Sequence, residues 1–289
     1  MSQIRIVHSF RGRTANNVEN KNWLARNACL YGLSALLCKK HGYFIKLYCD
    51  DVFYKYIKGT GIENLYDEID LSLNNYPLPP KGIYADTKFR VMQNEPIGTI
   101  HLDGDVFLFN KNILDNLINQ SFDVLVQHKE SKFNCSGAYW KESSYVLSNC
   151  NKPKWTKDIC NAMYNCGVVC IKNENLKKEY FDTYWKMYDE YNEKGIKDPS
   201  IVAIPDIIIE QQYLTDLCEA RKYNVKTILP ETGVHEFARK IGYSHLIGDG
   251  KVHHFTKVLK VIYKYNKEIY LKLKNKFYDN KIYKWEWPR

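Results

Sequence analysis

The sequence predicts an α/β protein with a mainly parallel sheet that is flanked by helices. Apolar, strand-like runs at residues 4–10 and Phe44–Cys49 alternate with segments of helical periodicity such as residues 17–41. At 289 residues and 45% hydrophobic content, the chain can bury one large core. The sequence also contains no internal repeat or low-complexity segment, which argues against a solenoid or a disordered chain.

The elements follow in an alternating order. In the first helix, apolar side chains recur at helical spacing at Leu24, Ala28, Tyr31 and Ala35. The proline-rich residues 75–81 predict a loop. Further strands are expected at residues 122–127 and 166–171, and further helices at residues 86–93, 176–193 and 207–220.

Residues 129–162 carry polar side chains and tryptophan without clear periodicity, and they are too long for an ordinary connection. Because long loops in α/β proteins tend to carry function, we expect this segment to cover a ligand or to shape a pocket. An insertion with no role is the alternative.

The strongest chemical signal is a pair of carboxylates inside an apolar run, Asp103 and Asp105 in Leu102-Asp-Gly-Asp-Val106. Residues two apart on a strand point to the same face, so both carboxylates are expected at the end of a buried strand. Buried carboxylates repel each other and lose hydration, and a divalent cation with hard oxygen ligands removes both penalties. The pair therefore predicts a metal site with open positions for phosphate oxygens.

A downstream segment, His245-Leu-Ile-Gly-Asp-Gly-Lys251, fits the same site. The His245 imidazole suits Mn²⁺ better than Mg²⁺. Gly248 lets the backbone approach a ligand closely, and Lys251 offers a compact charge for phosphate. Alone, an Asp-x-Asp pair is often a turn or a cap and His245 is more often structural, so their combination carries the prediction.

These segments together resemble the retaining glycosyltransferases of the glycogenin and lipopolysaccharide galactosyltransferase group. Two intermediate segments are similar to motifs of the same family: Tyr164-Asn-Cys-Gly-Val-Val-Cys-Ile171 and Glu210-Gln-Gln-Tyr-Leu214. All four occur in the family's order, across roughly residues 4–255. The resemblance implies a GT-A type, Rossmann-like fold with a mixed, mainly parallel sheet flanked by helices.

The chain departs from the family pattern at two places. Val252-His253 follows the lysine where family members usually have Pro-Trp, and Glu210 and Gln212 stand in place of two aspartates. These departures indicate a divergent branch of the family.

The resemblance also implies roles for particular residues at the metal and the nucleotide. Asp103, Asp105 and His245 would hold Mn²⁺ or Mg²⁺, and Asp103 would approach the ribose. Lys251, with Gly248, would hold the diphosphate. His253 and His254 are alternatives to His245 as the imidazole ligand, but they lack the Gly-x-x-Lys spacing.

The sugar-binding roles come from the intermediate segments. Asn165 and Glu210 would hold sugar hydroxyls, and Gln211 would lie beneath the anomeric carbon. Lys88, or alternatively Arg90, occupies the region where the family has a basic contact to the donor. A neutral amide such as Gln211 is a poor nucleophile, so retention is expected through front-face attack, with the leaving phosphate accepting the acceptor's proton.

The implied activity is metal-dependent hexosyl transfer from a nucleotide sugar, with UDP favoured, to a glycan or lipid-linked acceptor in polysaccharide biosynthesis. A haloacid dehalogenase-like phosphatase is one alternative, although such enzymes usually carry their Asp-x-Asp near the amino terminus and a small β-branched residue where this chain has Phe107. A non-catalytic carbohydrate-binding protein with a degenerate transferase fold is the other.

The carboxy-terminal segment differs in composition from the rest, so we divide the chain into a catalytic domain at 1–255 and a basic, aromatic tail at 256–289. The tail carries ten basic residues against three acidic ones, within a formal net charge of +9 for the whole chain. Its apolar side chains recur every three or four residues from Val258 to Phe277, which predicts a basic amphipathic helix. This helix either lies on an anionic membrane surface or packs on the catalytic domain.

Composition also limits the location and the partners. No stretch resembles a signal peptide, and none approaches the roughly 20 apolar residues of a membrane-spanning helix. The nine cysteines are scattered and are interpreted as reduced, buried side chains. We therefore expect a cytoplasmic protein, with peripheral membrane binding through the tail left open. No nucleic-acid partner is expected, because the basic charge is confined to the tail and no recognition motif accompanies it.

Overall fold

The computed structural model describes residues 3–13, 20–79, 85–131, 153–157, 162–194, 208–247 and 250–279. These residues form the α/β fold that the sequence predicts, in which helices flank a mostly parallel sheet. The chain divides into two compact units. The first unit comprises residues 1–78, 100–116 and 238–289, and the second comprises residues 79–99 and 117–237.

The elements are numbered in chain order. The strands are β1 (Arg5–Phe10), β2 (Phe44–Cys49), β3 (Glu68–Asp70), β4 (Ile100–Leu102), β5 (Val106–Leu108), β6 (Val124–Ser131), β7 (Ala162–Ile171), β8 (Val225–Thr227) and β9 (Tyr243–His245). The helices are α1 (Lys21–Lys40), α2 (Asp51–Ile57), α3 (Asp86–Asn94), α4 (Asn112–Ile118), α5 (Glu174–Lys194), α6 (Tyr213–Arg221), α7 (Val234–Ile241), α8 (Gly250–His253), α9 (Phe255–Tyr265) and α10 (Lys267–Leu273). Short 3-10 turns lie at Glu63–Leu65 and Ser72–Asn75, and π-helical turns at Ile208–Gln212 and Lys274–Asp279.

The first unit contains parallel strands in the order β3-β2-β1-β4. The strand order reverses at β1, because β2 and β3 lie on one side of it and β4 lies on the other, where Val7 of β1 pairs with His101 of β4. Carboxyl ends of parallel strands meet at one edge, and ligands of open α/β sheets bind where the strand order reverses. The end of β4 is therefore the place in this unit where a ligand site is expected.

The end of β2 carries an acidic residue with a structural role. The Asp50 Oδ1 atom accepts hydrogen bonds from the backbone N–H groups of Phe53 and Gly12, at 2.9 and 2.8 Å. Asp50 is thus the N-cap of α2 and is fully buried. A Cβ on Gly12 would lie 2.8 Å from the Phe53 nitrogen, so a larger residue there would disturb this cap.

The second unit contains strands in the order β7-β6-β8, with β6 antiparallel to β7 and parallel to β8. A register shift between Val126 and His128 interrupts the β6/β7 ladder. Aromatic side chains of α3 and α5 fill the core. Among them, the rings of Phe89 and Tyr184 stack with centroids 3.4 Å apart.

The apolar stripe of the carboxy-terminal segment packs within the first unit. Val258, Ile262, Leu273 and Phe277 are at most 4% exposed, and the Phe277 ring stacks on Tyr56 with centroids 6.1 Å apart. The intervening lysines face outward, as an exposed surface on α9 and α10. Packing on the rest of the chain, one of the two alternatives for this stripe, is therefore what the described residues show.

Several sequence expectations need adjustment. In place of the helix expected at residues 207–220, the structure has a π-helical turn followed by α6. The segment 129–162, expected to be a loop, includes the end of β6, which extends to Ser131, and the start of β7 at Ala162. Most of residues 129–162 lies outside the described residues, as do residues 17–19, 80–81, 207 and 280–289. The six cysteines in the described part of the chain are free and buried, as predicted. Among the helices that the structure describes, none has both the length and the apolar character needed to cross a bilayer.

Candidate functional site

A turn after β4 and the pairing of β5 with β9 bring the predicted metal ligands together in the first unit. Asp103 follows the last residue of β4, and its carbonyl accepts a hydrogen bond from the Val106 backbone N–H at 3.0 Å. This turn leads into β5, which is antiparallel to β9 and pairs Val106 with His245. The Leu246 backbone N–H donates to the Asp105 carbonyl at 3.1 Å, so His245 is held beside Asp105.

The result is a cluster of Asp103, Asp105 and His245, one ligand atom of each lying within 4.8 Å of the others. The Asp105 and His245 side chains are 8% and 10% exposed, whereas the Asp103 side chain is 32% exposed. Two carboxylate oxygens and an imidazole nitrogen are a donor set that suits Mn²⁺. The residues present therefore fit a divalent cation, with Asp103 on the side that faces solvent.

Two groups of the first unit compensate the charge of Asp105. Its Oδ1 atom lies 3.5 Å from His245 Nε2, and its Oδ2 atom lies 2.6 Å from Lys251 Nζ. Burial alone would raise the pKa of Asp105, but His245 and Lys251 together hold that pKa well below its usual range. The Asp105 carboxylate is consequently ionised at neutral pH.

The residue between the two aspartates must be small. A Cβ on Gly104 would lie 2.1 Å from Tyr31 Cε2. The Tyr31 ring cannot easily move away, because it packs against the rings of Phe10 and Phe53, with centroids 5.1 and 5.4 Å away. Its hydroxyl donates to the Ser9 carbonyl at 2.7 Å. Tyr31 of α1 thus fixes the turn that carries both carboxylates.

The other residues predicted for this cluster are Gly248, the alternative ligands His253 and His254, and Lys251. Gly248 lies outside the described residues. His253 and His254 are exposed, and the imidazole that the structure brings to Asp105 is that of His245. Lys251 lies beside the Asp105 carboxylate, and its side chain is 34% exposed.

The second unit holds the other predicted site residues. Lys88 of α3 donates to Glu210 Oε1 at 2.6 Å and to the Cys166 carbonyl at 2.8 Å. The Lys88 and Glu210 side chains are only 10% and 9% exposed. The Tyr180 hydroxyl donates to the Glu210 carbonyl at 2.6 Å, which holds the π-helical turn against α5. Sequence reasoning assigned Lys88 and Glu210 to separate donor contacts, whereas the structure pairs them with each other.

Both polar atoms of the Asn165 side-chain amide form hydrogen bonds. Its Nδ2 donates to Glu130 Oε1 at 2.8 Å, and its Oδ1 accepts from the Gly167 backbone N–H at 3.0 Å. The Gln211 carbonyl accepts from Thr215 Oγ1 at 2.8 Å, and the Gln211 side chain is half-buried.

Arg90, the alternative to Lys88, instead bonds Asp86 in its own helix at 2.9 Å and lies over the Trp185 ring.

Sequence reasoning missed three polar side chains next to these sites. In the first unit, His101 on β4 lies beside Asp103. In the second, His128 and Glu130 follow the register shift of β6, and His128 Nε2 lies 3.5 Å from Glu130 Oε1. A histidine inside an otherwise apolar strand was the available signal for His101, because a buried imidazole needs polar partners.

Comparison with known proteins places the chain in a family. Over residues 4–284 the sequence matches the family described as "Family of unknown function (DUF6734)", and the chain belongs to that family. A comparison with curated protein sequences finds no match.

Three solved structures illustrate what the fold is similar to. They are the galactosyltransferase LgtC (11% identity, 78% of this chain and 73% of that chain, TM-score 0.40), mouse xyloside xylosyltransferase 1 (12% identity, 78% and 85%, TM-score 0.41) and the inositol-1-phosphate CTP transferase from T. maritima (11% identity, 94% and 97%, TM-score 0.39).

Proposed function

We propose that the protein is a metal-dependent glycosyltransferase of GT-A type, which moves a hexose from a nucleotide sugar to a glycan or lipid-linked acceptor with retention. The observation that carries this proposal is the cluster of Asp103, Asp105 and His245 at the carboxyl end of β4, with Lys251 2.6 Å from Asp105. The motifs that supply these residues occur in the order of the family that the sequence resembles. A UDP-sugar is the first donor to test.

The residues of the first unit would act on the diphosphate. A divalent cation held by Asp103, Asp105 and His245 would neutralise charge on the leaving nucleoside diphosphate. Lys251 would place its ammonium on the β-phosphate, where negative charge grows as the glycosidic bond breaks, so its interaction would strengthen toward the transition state. Asp103, the more exposed carboxylate, is the one with room to approach the ribose.

The residues of the second unit would bind the sugar. Asn165 and Glu210 are proposed to hold sugar hydroxyls, and Gln211 to lie beneath the anomeric carbon. Lys88 would set the position of the Glu210 carboxylate, since the two side chains are 2.6 Å apart and buried. Gln211 is a neutral amide, so front-face attack suits this residue set better than a stable covalent intermediate.

The proposed function is tested by a screen of sugar nucleotides for release of nucleoside diphosphate, with Mn²⁺, with Mg²⁺ and with a chelator. We expect metal-dependent hydrolysis of at least one donor, and loss of that hydrolysis in Asp105→Asn. The matched control is Asp51→Asn, which removes an acid whose side chain is 56% exposed and paired with Arg13.

The same screen separates the alternatives. Phosphate release from a simple monoester without turnover of any sugar nucleotide would favour the phosphatase. Binding of sugars without turnover would favour a carbohydrate-binding protein. Either result would overturn the transferase proposal.

The exposed lysines of α9 and α10 also support a proposed membrane contact. Lys257, Lys260, Lys264 and Lys267 are exposed, while Val258, Leu259 and Ile262 between them are buried in the first unit. Such a surface attracts anionic lipid headgroups electrostatically, without insertion of the buried stripe. The segment would then bring the enzyme to a lipid-linked acceptor.

A further inference from the structure

The feature that the proposed chemistry leaves unused is His101, in the middle of β4. The side chain is 1% exposed and stands in the run Thr99-Ile-His-Leu102, whose other members are also buried. Burying an imidazole among apolar neighbours costs free energy unless its nitrogens have polar partners. His101 is therefore a costly choice for a position that only fills space.

His101 lies between two polar groups, the Ser9 hydroxyl and the carboxylate of Asp103, a proposed metal ligand. Its Nε2 lies 2.8 Å from the Ser9 hydroxyl on the neighbouring strand β1. Its Nδ1 lies 3.6 Å from Asp103 Oδ1. Because residues two apart on a strand share a face, the backbone itself directs His101 and Asp103 to the same side.

Ser9 is held in place independently of His101. Its side chain is buried, and its carbonyl accepts the hydrogen bond from Tyr31, whose ring also packs against Gly104 of the Asp-Gly-Asp turn. A neutral imidazole has one donor and one acceptor nitrogen. When the Ser9 hydroxyl donates to Nε2, the proton is on Nδ1, which is the nitrogen that faces the Asp103 carboxylate.

We propose that His101 is a positioning residue that orients the Asp103 carboxylate toward the cation, through the series Ser9, His101 and Asp103. The inference rests on the proposed metal-dependent function. Asp105 is already restrained by His245 and Lys251, whereas Asp103 is the exposed ligand and gains most from a partner that restricts its rotamers. Partners of this kind commonly change metal affinity 10- to 100-fold.

The experiment compares three substitutions of His101 by direct measurement of Mn²⁺ binding, from the loss of the free Mn²⁺ resonance in electron paramagnetic resonance. In His101→Asn the side-chain amide lies near the position of Nδ1 and can present an N–H donor to Asp103. In His101→Gln it lies near Nε2 and can serve only Ser9. His101→Phe keeps the ring and its burial but removes both nitrogens.

We expect His101→Gln and His101→Phe to weaken Mn²⁺ binding by about 10- to 100-fold, and His101→Asn to remain within about threefold of the unsubstituted protein. Thermal unfolding in a chelator gives the stability of each variant. The matched control is His8→Phe, which replaces another fully buried histidine of the same unit, bonded to Tyr66 and Ser34. This control should lower stability while leaving Mn²⁺ affinity unchanged.

Three results would overturn the inference. If the unsubstituted protein binds Mn²⁺ and all three variants bind it equally well, or if the losses follow stability without separating Asn from Gln, His101 is a packing residue and the metal site stands. If the unsubstituted protein binds no Mn²⁺ with or without UDP, the positioning role fails together with the proposed metal site.

Discussion

The two clusters of predicted site residues differ in how their charges are compensated. In the second unit Lys88 and Glu210 form a buried pair of equal and opposite charges, 2.6 Å apart. In the first unit the cluster of Asp103, Asp105 and His245 holds two carboxylates, and the Lys251 ammonium lies 2.6 Å from Asp105. Among the described residues, carboxylates thus outnumber ammonium groups in the first cluster, whereas the Lys88–Glu210 pair holds one of each. The first arrangement suits the proposed binding of a cation, whereas the second suits a fixed polar surface.

The largest effect is expected from removing a charge of the first cluster. Asp105→Asn should abolish metal-dependent turnover of a sugar nucleotide, because it replaces the most buried ligand by a neutral amide. Turnover assays with Mn²⁺ in excess measure the effect, with Asp51→Asn as the control of equal charge change at an exposed position. Activity within threefold of the unsubstituted protein would show that the cluster is not the reaction centre.

Breaking the buried Lys88–Glu210 pair of the second unit should instead reduce the free energy of unfolding. Lys88→Met leaves the Glu210 carboxylate buried without its ammonium, which costs about 3–5 kcal/mol of unfolding free energy. The double variant Lys88→Met/Glu210→Met should recover most of that loss, because no charge is then left unpaired. Urea unfolding gives these values.

The control is Lys178→Met, which breaks the exposed pair with Asp182, whose side chains are 79% and 62% exposed. That change should leave the free energy of unfolding almost unchanged, because both side chains are solvated. Equal losses for Lys88→Met and Lys178→Met would mean that the Lys88 pair is solvated, and the contrast between the clusters would fail.

The ammonium of the first cluster should matter for rate rather than for cation binding. Lys251→Met should lower kcat by on the order of 10²-fold, because the lost interaction strengthens as the diphosphate leaves. Mn²⁺ affinity measured without nucleotide should not fall, since a competing cation beside Asp105 has been removed. Lys257→Met, at an exposed position of α9, serves as the control. A raised KM with unchanged kcat would assign Lys251 to ground-state binding instead.

A smaller effect is expected from the turn between the two carboxylates. Gly104→Ala places a Cβ against the Tyr31 ring and should destabilise the protein by about 1–3 kcal/mol, with weaker Mn²⁺ binding. Adding Tyr31→Leu should relieve part of the loss. Gly250→Ala is the control, because its Cβ would meet open space. Additive effects of the two substitutions would indicate that Tyr31 does not constrain the turn.

The smallest effect per residue is expected on the lysine surface of the carboxy-terminal helices. Substituting Lys257, Lys260 and Lys264 by Gln should weaken binding to anionic vesicles by about 1 kcal/mol per lysine at low salt and leave sugar-nucleotide hydrolysis intact. A triple substitution of exposed lysines in the second unit, Lys178, Lys186 and Lys222, is the control. If both triple substitutions weaken vesicle binding equally, the binding reflects the net charge of the protein and not a specific surface on α9 and α10.

The local parts of the first cluster could be predicted from the sequence. Side chains on a strand alternate between its two faces, so the sequence alone predicts that Asp103 and Asp105 point to the same side at the end of β4. That His245 lies beside Asp105 followed only from the order of the motifs. The pairing of β5 with β9 joins residues 135 to 139 positions apart, and a pairing over that distance leaves no local pattern.

The second cluster shows why other partners could not be predicted. Lys88 and Glu210 are 122 residues apart, and the local sequence around each predicts only an exposed charged side chain. The carboxy-terminal stripe was ambiguous for a different reason, since the same amphipathic period suits a membrane surface and a protein core. Only the burial of residues such as Ile262 and Leu273 distinguishes the two.

The central claim, that the first cluster binds a cation which in turn holds a diphosphate, is tested most directly by calorimetric titration of UDP with and without Mn²⁺. The account predicts one Mn²⁺ site per chain and UDP binding that tightens with Mn²⁺, with the reciprocal tightening of Mn²⁺ by UDP that linkage requires. Both should disappear in Asp105→Asn. UDP binding of equal affinity in Mn²⁺ and in a chelator, or no Mn²⁺ binding at millimolar concentration in the presence of UDP, would contradict it.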